Sequence, residues 1–255
     1  FKSKYFISII SFTILSFAIG EILARYYLGL GTPPLSVADP TIEYLYQSNQ
    51  NLYRFGHHFI TNQYGMRSPP LATVKGSNEF RIMVFGDSVV NGGAPTDQSE
   101  LATTLVQEKL SKKINKNVFV GNISAGSWGP GNWLEYAKKY GFFNADIVIL
   151  ILSSHDYNDN PTYAPLDPIT QPTKQVLVFQ HLEKPEIESN HPKIGLQLIK
   201  LTCEKLDIFP ISLEPYFRNS LQEKVDPYRD FIHPNKIGQQ LIAKAILTEL
   251  QNAKE

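Results

Sequence analysis

The segment Ala145–Leu152 reads ADIVILIL and is apolar at every position from Ile147 onward. A strand with one wet face alternates polar and apolar side chains, so a run without polar positions belongs in a sheet covered on both faces. Parallel strands need long crossovers, most often helices. The chain from Arg81 onward has that rhythm of short apolar runs and longer amphipathic ones. Arg81–Phe85 is predicted as the first strand, Asn117–Gly121 as the second and ADIVILIL as a central third, with Gln175–Gln180 and Ile208–Leu213 as fourth and fifth. Helices are expected over 97–113, from Pro130, over Lys193–Lys205 and over Asn235–Gln251, where Ile237, Leu241, Ile242, Ile246 and Leu250 face the core. The fold class is α/β, with a mainly parallel five-stranded sheet between helical layers. One connection is unusual: residues 157–174 hold four prolines and no helical period, which suggests a functional loop.

Tyr5–Leu23 (YFISIISFTILSFAIGEIL) carries no charge before Glu21. Such a helix spans about 28 Å, close to the hydrocarbon thickness of a bilayer. A buried helix of a soluble domain or a cleavable signal peptide fits the same pattern, but the run ends in Glu21–Tyr27 without the small residues of a cleavage site. The expectation is an uncleaved transmembrane anchor over 1–30, with the lipid bilayer as partner of residues 5–23. Lys2 and Lys4 favour a cytoplasmic N-terminus and an exported body, and Arg25 opposes that bias. Residues 31–80 are punctuated by prolines and glycines and read as a linker with extended segments lying over the domain of residues 81–255.

With 24 Lys+Arg against 24 Asp+Glu, the chain lacks the basic surplus of a nucleic-acid binder. The single Cys203 excludes an intrachain disulfide, and no Cys/His spacing suggests a metal. No G-x-G-x-x-G or Walker loop is present, and no cofactor is expected.

In open parallel sheets, ligands gather outside the carboxyl ends of the strands. Polar residues cluster at those ends here: Gly86-Asp87-Ser88, then Gly121–Gly129, then Ser153-Ser154-His155-Asp156, with Asp230–Pro234 before the last helix. A serine hydroxyl is a weak nucleophile and needs an imidazole to take its proton. That imidazole needs a hydrogen bond at its second nitrogen, and Asp230, three residues before His233, can fold back to supply it. Acyl transfer also needs donors aimed at the oxyanion. The Ser88 and Gly126 amides are candidates, and His155 is the candidate side chain.

Together, Gly86-Asp87-Ser88, a glycine after the second strand, a polar-Asp pair after the third, and Asp230-x-x-His233-Pro234 resemble the four blocks of the SGNH/GDSL hydrolase superfamily. The likeness covers about residues 80–250 in consistent order. It implies a flavodoxin-like three-layer α/β/α sandwich and acyl chemistry, with Ser88 as nucleophile, His233 as base and Asp230 as its orienting acid. It also implies oxyanion donors from Ser88, Gly126 and the third-block residue. That block departs from the usual Gly-x-Asn-Asp, because His155 stands where asparagine belongs. A neutral imidazole still donates one hydrogen bond, and Asn158 is the less favoured substitute. The stretch Asn62-Gln63-Tyr64-Gly65-Met66-Arg67 is similar to an Asn-x-x-Gly-x-Arg segment of membrane-anchored members found with surface-polysaccharide genes.

The expected function is thus a membrane-anchored serine esterase that removes O-acyl groups, chiefly acetyl, from a carbohydrate or cell-surface glycan outside the cytoplasm. Polysaccharide-biosynthesis machinery is an expected further partner. Two other functions share the pattern: an O-acyltransferase modifying an exopolysaccharide, and a non-catalytic glycan-binding or assembly protein. Plainer roles compete residue by residue. Ser88 could cap a helix, and Asp230 and His233 could cap the last one. Trp128, Tyr157 and Asn158 are candidates for the substrate rim, against core packing for the tryptophan and plain loop for the other two.

Overall fold

A computed structural model describes residues 2–168, 170–175, 193–206 and 210–252. Helix α1 (Lys2–Leu28) opens the chain, and its Tyr5–Leu28 stretch is long and apolar enough to cross a membrane, with none of its most apolar window buried. Contact with the rest of the fold begins at its C-terminal end. The Phe55 amide donates to the Leu28 carbonyl at 2.8 Å, and Arg54 donates to the Gly29 carbonyl at 3.2 Å.

Within the stretch expected as a linker and extended segments, two antiparallel hairpins form. Strand β1 (Ser36–Asp39) pairs with β2 (Glu43–Tyr46), and β3 (Asn51–Arg54) with β4 (His57–Ile60). Each strand is only four residues long, too short for alternation to stand out in the sequence. The punctuating residues make the turns. Asp39 Oδ1 accepts the Thr41 and Ile42 amides, and Phe55-Gly56 both take positive φ, as a two-residue hairpin turn requires.

The main sheet is built from β5 (Glu79–Gly86), β6 (Asn117–Ser124) and β7 (Ile147–Leu150), all parallel, in the order β6-β5-β7. This second-first-third order puts a topological switch point between β5 and β7, where open α/β sheets bind ligands. Strand alternation divides the core. Ile82 and Val84 of β5 face helices α3 (Ala102–Ile114), α6 (Glu214–Gln222) and α7 (Lys236–Asn252), packing with Val106, Phe217, Ile242 and Ile246. Met83 and Phe85 face the first hairpin and helix α4 (Pro130–Tyr140), packing with Tyr44, Leu45, Trp133 and Tyr136. Each such buried side chain contributes about 1.5–3 kcal/mol, so both layers hold the sheet.

The described residues contain three strands of this sheet, against five expected. Among the described residues, strand β7 is covered on one face only. It pairs with β5 alone among the described residues, and Val148 and Leu150 are about half exposed. An unbroken apolar run fits a buried strand, yet hydrophobicity does not report which neighbours arrive to cover it. The expected fourth strand, from 176 onward, lies outside the described residues. Of the expected fifth, 210–213 are not strand and 208–209 lie outside. Helix α5 (Lys193–Lys205) follows the expected range. The proline-rich crossover after 157 lies along the first hairpin: Thr162 donates to Glu43, Tyr163 Oη to the Thr41 carbonyl at 2.8 Å, and Ser36 N to Pro172 O at 2.7 Å.

Candidate active site

Strand β5 delivers Gly86-Asp87-Ser88 to the sheet edge, where the chain turns at once into the short helix α2 (Ser88–Asn91). The turn folds so closely over the strand tip that a Cβ at Gly86 would meet Val90 Cγ2 at 2.3 Å, which explains the glycine. Asp87 caps the helix, its Oδ1 accepting the Val89 amide at 2.8 Å. Trp133 Nε1 donates to the Gly86 carbonyl at 2.9 Å and pins the strand end from the α4 side.

The loop after α2 is held by a buried cation. Arg67 is fully buried and donates to the carbonyls of Asn91, Gly93 and Thr96. Desolvation lowers its pKa to about 9. Asn62 shapes the turn that aims Arg67, its Oδ1 accepting the Tyr64 and Met66 amides. The Asn62–Arg67 motif is thus a structural brace behind the Ser88 turn.

The last site segment precedes α7. Asn235 caps that helix, its Oδ1 accepting the Ile237 and Gly238 amides, so capping is not the work of Asp230 and His233. The Arg229 amide donates to the His233 carbonyl at 2.8 Å and closes the turn. Inside it, Asp230 Oδ1 accepts the Ile232 and His233 amides at 3.1 and 2.8 Å. The same carboxylate lies 2.9 and 2.8 Å from His233 Nδ1, and His233 Nε2 lies 3.0 Å from Ser88 Oγ. Burial pushes the Asp230 carboxyl up, but the hydrogen bonds from the His233 and Ile232 amides and the His233 ring outweigh it, and its pKa is lowered. Arg229 joins the two segments, donating to the Gly92 carbonyl at 2.9 Å, with Nε 3.7 Å from Asp230 Oδ2.

Among the described residues, neither the Ser88 nor the Gly126 amide donates to a protein acceptor, while the Gly126 carbonyl accepts from Tyr44 Oη at 2.6 Å. His155 is placed differently from the expected third donor. Its Nε2 is 3.0 Å from Asp87 Oδ2, committed to that carboxylate, with Asp156 Oδ1 at 3.6 Å and Asp159 Oδ2 at 3.8 Å. The hydrogen bond to Asp87 raises the imidazole pKa against the opposing effect of burial. Burial and the neighbouring Asp87 charge push Asp156 up to about 8.

The absence of a metal-ligand spacing in the sequence missed this cluster, because its members come from two different strand ends. Trp128 is not at a rim: it is 2% exposed and packs edge-on against Tyr44 and tilted against Tyr136. Tyr157 is half-buried and Asn158 exposed, both on a single 3₁₀ turn after β7, with the Tyr157 ring close to Gly195 of α5. A groove of about 490 Å³ flanks the Ser88 turn, lined by Val89, Phe217, Leu221, Tyr228, Ile232 and Pro234 among others. Arg67 and Arg229 were not singled out by their own chemistry, since the carbonyls they hold belong to distant segments.

The chain matches no protein-family model and no curated protein. Among solved structures it is similar to LAE5, an alpha/beta hydrolase enzyme from the metagenome of Lake Arreo, Spain. Sequence identity is 15% and the TM-score 0.43, over 69% of this chain and 96% of that one. So distant a likeness carries no residue role over. What stands here is an α/β fold with an N-terminal apolar helix and a Ser-His-Asp arrangement at the carboxyl edge of its parallel sheet.

Proposed function

We propose that this chain is a serine hydrolase of the SGNH type, tethered to a membrane by α1, that cleaves O-acyl esters through an acyl-enzyme. The observation that carries the reading is the hydrogen-bonded line from the Asp230 carboxylate through His233 to Ser88 Oγ, with 2.8 and 3.0 Å spacings. His233 Nε2 takes the Ser88 proton as Oγ attacks the ester carbonyl. The Asp230 carboxylate fixes the tautomer and stabilises the imidazolium. The Ser88 and Gly126 amides are the donors offered to the developing oxyanion. His233 then protonates the departing alkoxide, and water, activated by the same ring, releases the acid and restores Ser88.

The apolar groove beside Val89 and Ile232 supports an acyl group lying next to the nucleophile. Asp230 and His233 keep 43% and 25% of their side-chain surface exposed, an open setting that favours water over a sheltered acceptor. An acylated carbohydrate as substrate follows from the family resemblance and from the membrane tether. The test is labelling with a fluorophosphonate probe: wild type should react at one serine and Ser88→Ala should not. Equal labelling of both would remove Ser88 from the chemistry.

A further inference from the structure

Asp87, His155 and Asp156 each bring one donor atom into a space where the three lie within 4.8 Å of one another. Metal bonds of about 2.0–2.2 Å hold neighbouring donors about 3.0–3.5 Å apart. The observed separations from His155 Nε2 are 3.0 Å to Asp87 Oδ2 and 3.6 Å to Asp156 Oδ1. Acidic clusters are common without an ion, and the distances alone would decide nothing. The distinguishing atom is Asp156 Oδ1. Asp156 is 1% exposed; its Oδ2 accepts the Ser153 amide at 2.6 Å, while Oδ1 has no hydrogen-bond partner and is the oxygen turned toward His155. An orphaned buried oxygen of this kind costs about 1–3 kcal/mol or more, and an ion is one of the few groups that accounts for one. Charge points the same way. Among the described residues no Lys or Arg pairs with Asp87, Asp156 or Asp159, so one imidazole faces three carboxylates.

We propose that Asp87 Oδ2, His155 Nε2 and Asp156 Oδ1 form a binding site for a divalent transition metal, foremost Zn²⁺, with Asp159 Oδ2, which stands 3.8 Å from His155 Nε2 outside that trio, drawn in as fourth ligand. One imidazole nitrogen among carboxylate oxygens suits Zn²⁺ better than the all-oxygen shells of Ca²⁺ or Mg²⁺. His155 and Asp159 keep 23% and 26% of their side-chain surface exposed, which gives the ion a route in. Asp87 caps the Ser88 turn with Oδ1, so an ion on Oδ2 braces that turn from behind. The site is independent of acyl chemistry and stands whether or not Ser88 is a nucleophile.

The full-length protein, purified in detergent and stripped with EDTA, is titrated calorimetrically with ZnCl₂, and bound zinc is counted by elemental analysis. One ion per chain and a raised melting temperature are expected. His155→Asn should abolish that binding, and Asp156→Asn and Asp159→Asn should each weaken it at least tenfold. His58→Ala, at the separate Asp97 pair, should leave it unchanged. Asp159 is the least buried ligand, so its variant keeps the test decisive if a buried change unfolds the chain. Wild type that takes up no stoichiometric zinc at micromolar concentration overturns the proposal, as does unchanged binding in the Asp159 and His155 variants.

Discussion

His155 Nε2 lies 3.0 Å from Asp87 Oδ2, so the residue expected to serve as a third oxyanion donor is tied instead to the residue that caps the Ser88 turn. The bond makes the Ser88 turn part of a cluster of ionisable groups, and its stability therefore depends on their protonation. His155 has a folded pKa raised above 6.5, chiefly by the hydrogen bond to Asp87. Asp156 is raised from 3.8 to about 8, chiefly by burial.

The direction of the pH effect follows. In the window between the unfolded and folded values the native state binds more protons than the unfolded one, so stability falls as pH rises. The His155 contribution is fully present below 6.5 and is lost as pH climbs through its folded value. The Asp156 penalty grows from 3.8 and is complete above about 8. Asp230 acts oppositely, because its lowered pKa adds stability above 3.8 that is lost on acidification. Melting temperatures in EDTA buffer should therefore decline from pH 6 to 9, and Asp156→Asn should make the decline shallower. A flat wild-type profile over that range would contradict the proton sharing.

Activity should hinge on the Asp230–His233–Ser88 line as a unit. Asp230→Asn preserves shape but presents the wrong hydrogen-bond character to Nδ1, and comparable changes lower kcat by up to about 10⁴-fold. Ser88→Ala and His233→Ala should each abolish most turnover of an aryl acetate, and the double variant should be no worse than either alone. Additive losses in the double variant would mean that the two side chains act separately.

How much of this was legible in the sequence differs by element. Strands β5 and β6 follow from short apolar runs that are buried on both faces, and helices α3, α4 and α7 from a helical period that buries one face. Ser88, Asp230 and His233 were legible because strand ends and a three-residue carboxylate-histidine spacing constrain geometry locally. The hairpins of 36–60 were not, since four-residue strands carry too little alternation. Coverage of β7 and the Asp87–His155 pair depend on which distant segments meet, and no local pattern encodes that.

Arg67 should be irreplaceable even by lysine. It satisfies the carbonyls of Asn91, Gly93 and Thr96 from a fully buried position, and one ammonium cannot span what a planar guanidinium reaches. Removing it orphans buried carbonyls at about 1–3 kcal/mol each. Arg67→Met and Arg67→Lys should each lose about 3–5 kcal/mol in urea unfolding. Because those carbonyls lie in and just after α2, kcat should fall even in conditions where the variant stays folded. A variant within about 0.5 kcal/mol of wild type would show that the loop holds itself.

Two hydrogen bonds tie the end of the apolar helix to the rest of the fold. Tyr5–Leu28 is long enough to span a bilayer, and its apolar side chains lie outside the fold. Deleting residues 1–26 should therefore move the protein from the membrane pellet to the supernatant on ultracentrifugation. That cut keeps the Leu28 carbonyl, which accepts the Phe55 amide at 2.8 Å, and the Gly29 carbonyl, which accepts Arg54 at 3.2 Å. A cut after Gly31 removes both acceptors. Arg54 is 4% exposed, and burial already lowers its pKa, so leaving it without an acceptor costs about 1–3 kcal/mol. The longer deletion should thus be as soluble as the shorter one yet melt several degrees lower. Equal melting temperatures would mean that the helix end contributes nothing to the fold, and membrane retention of the shorter form would show that a second surface binds lipid.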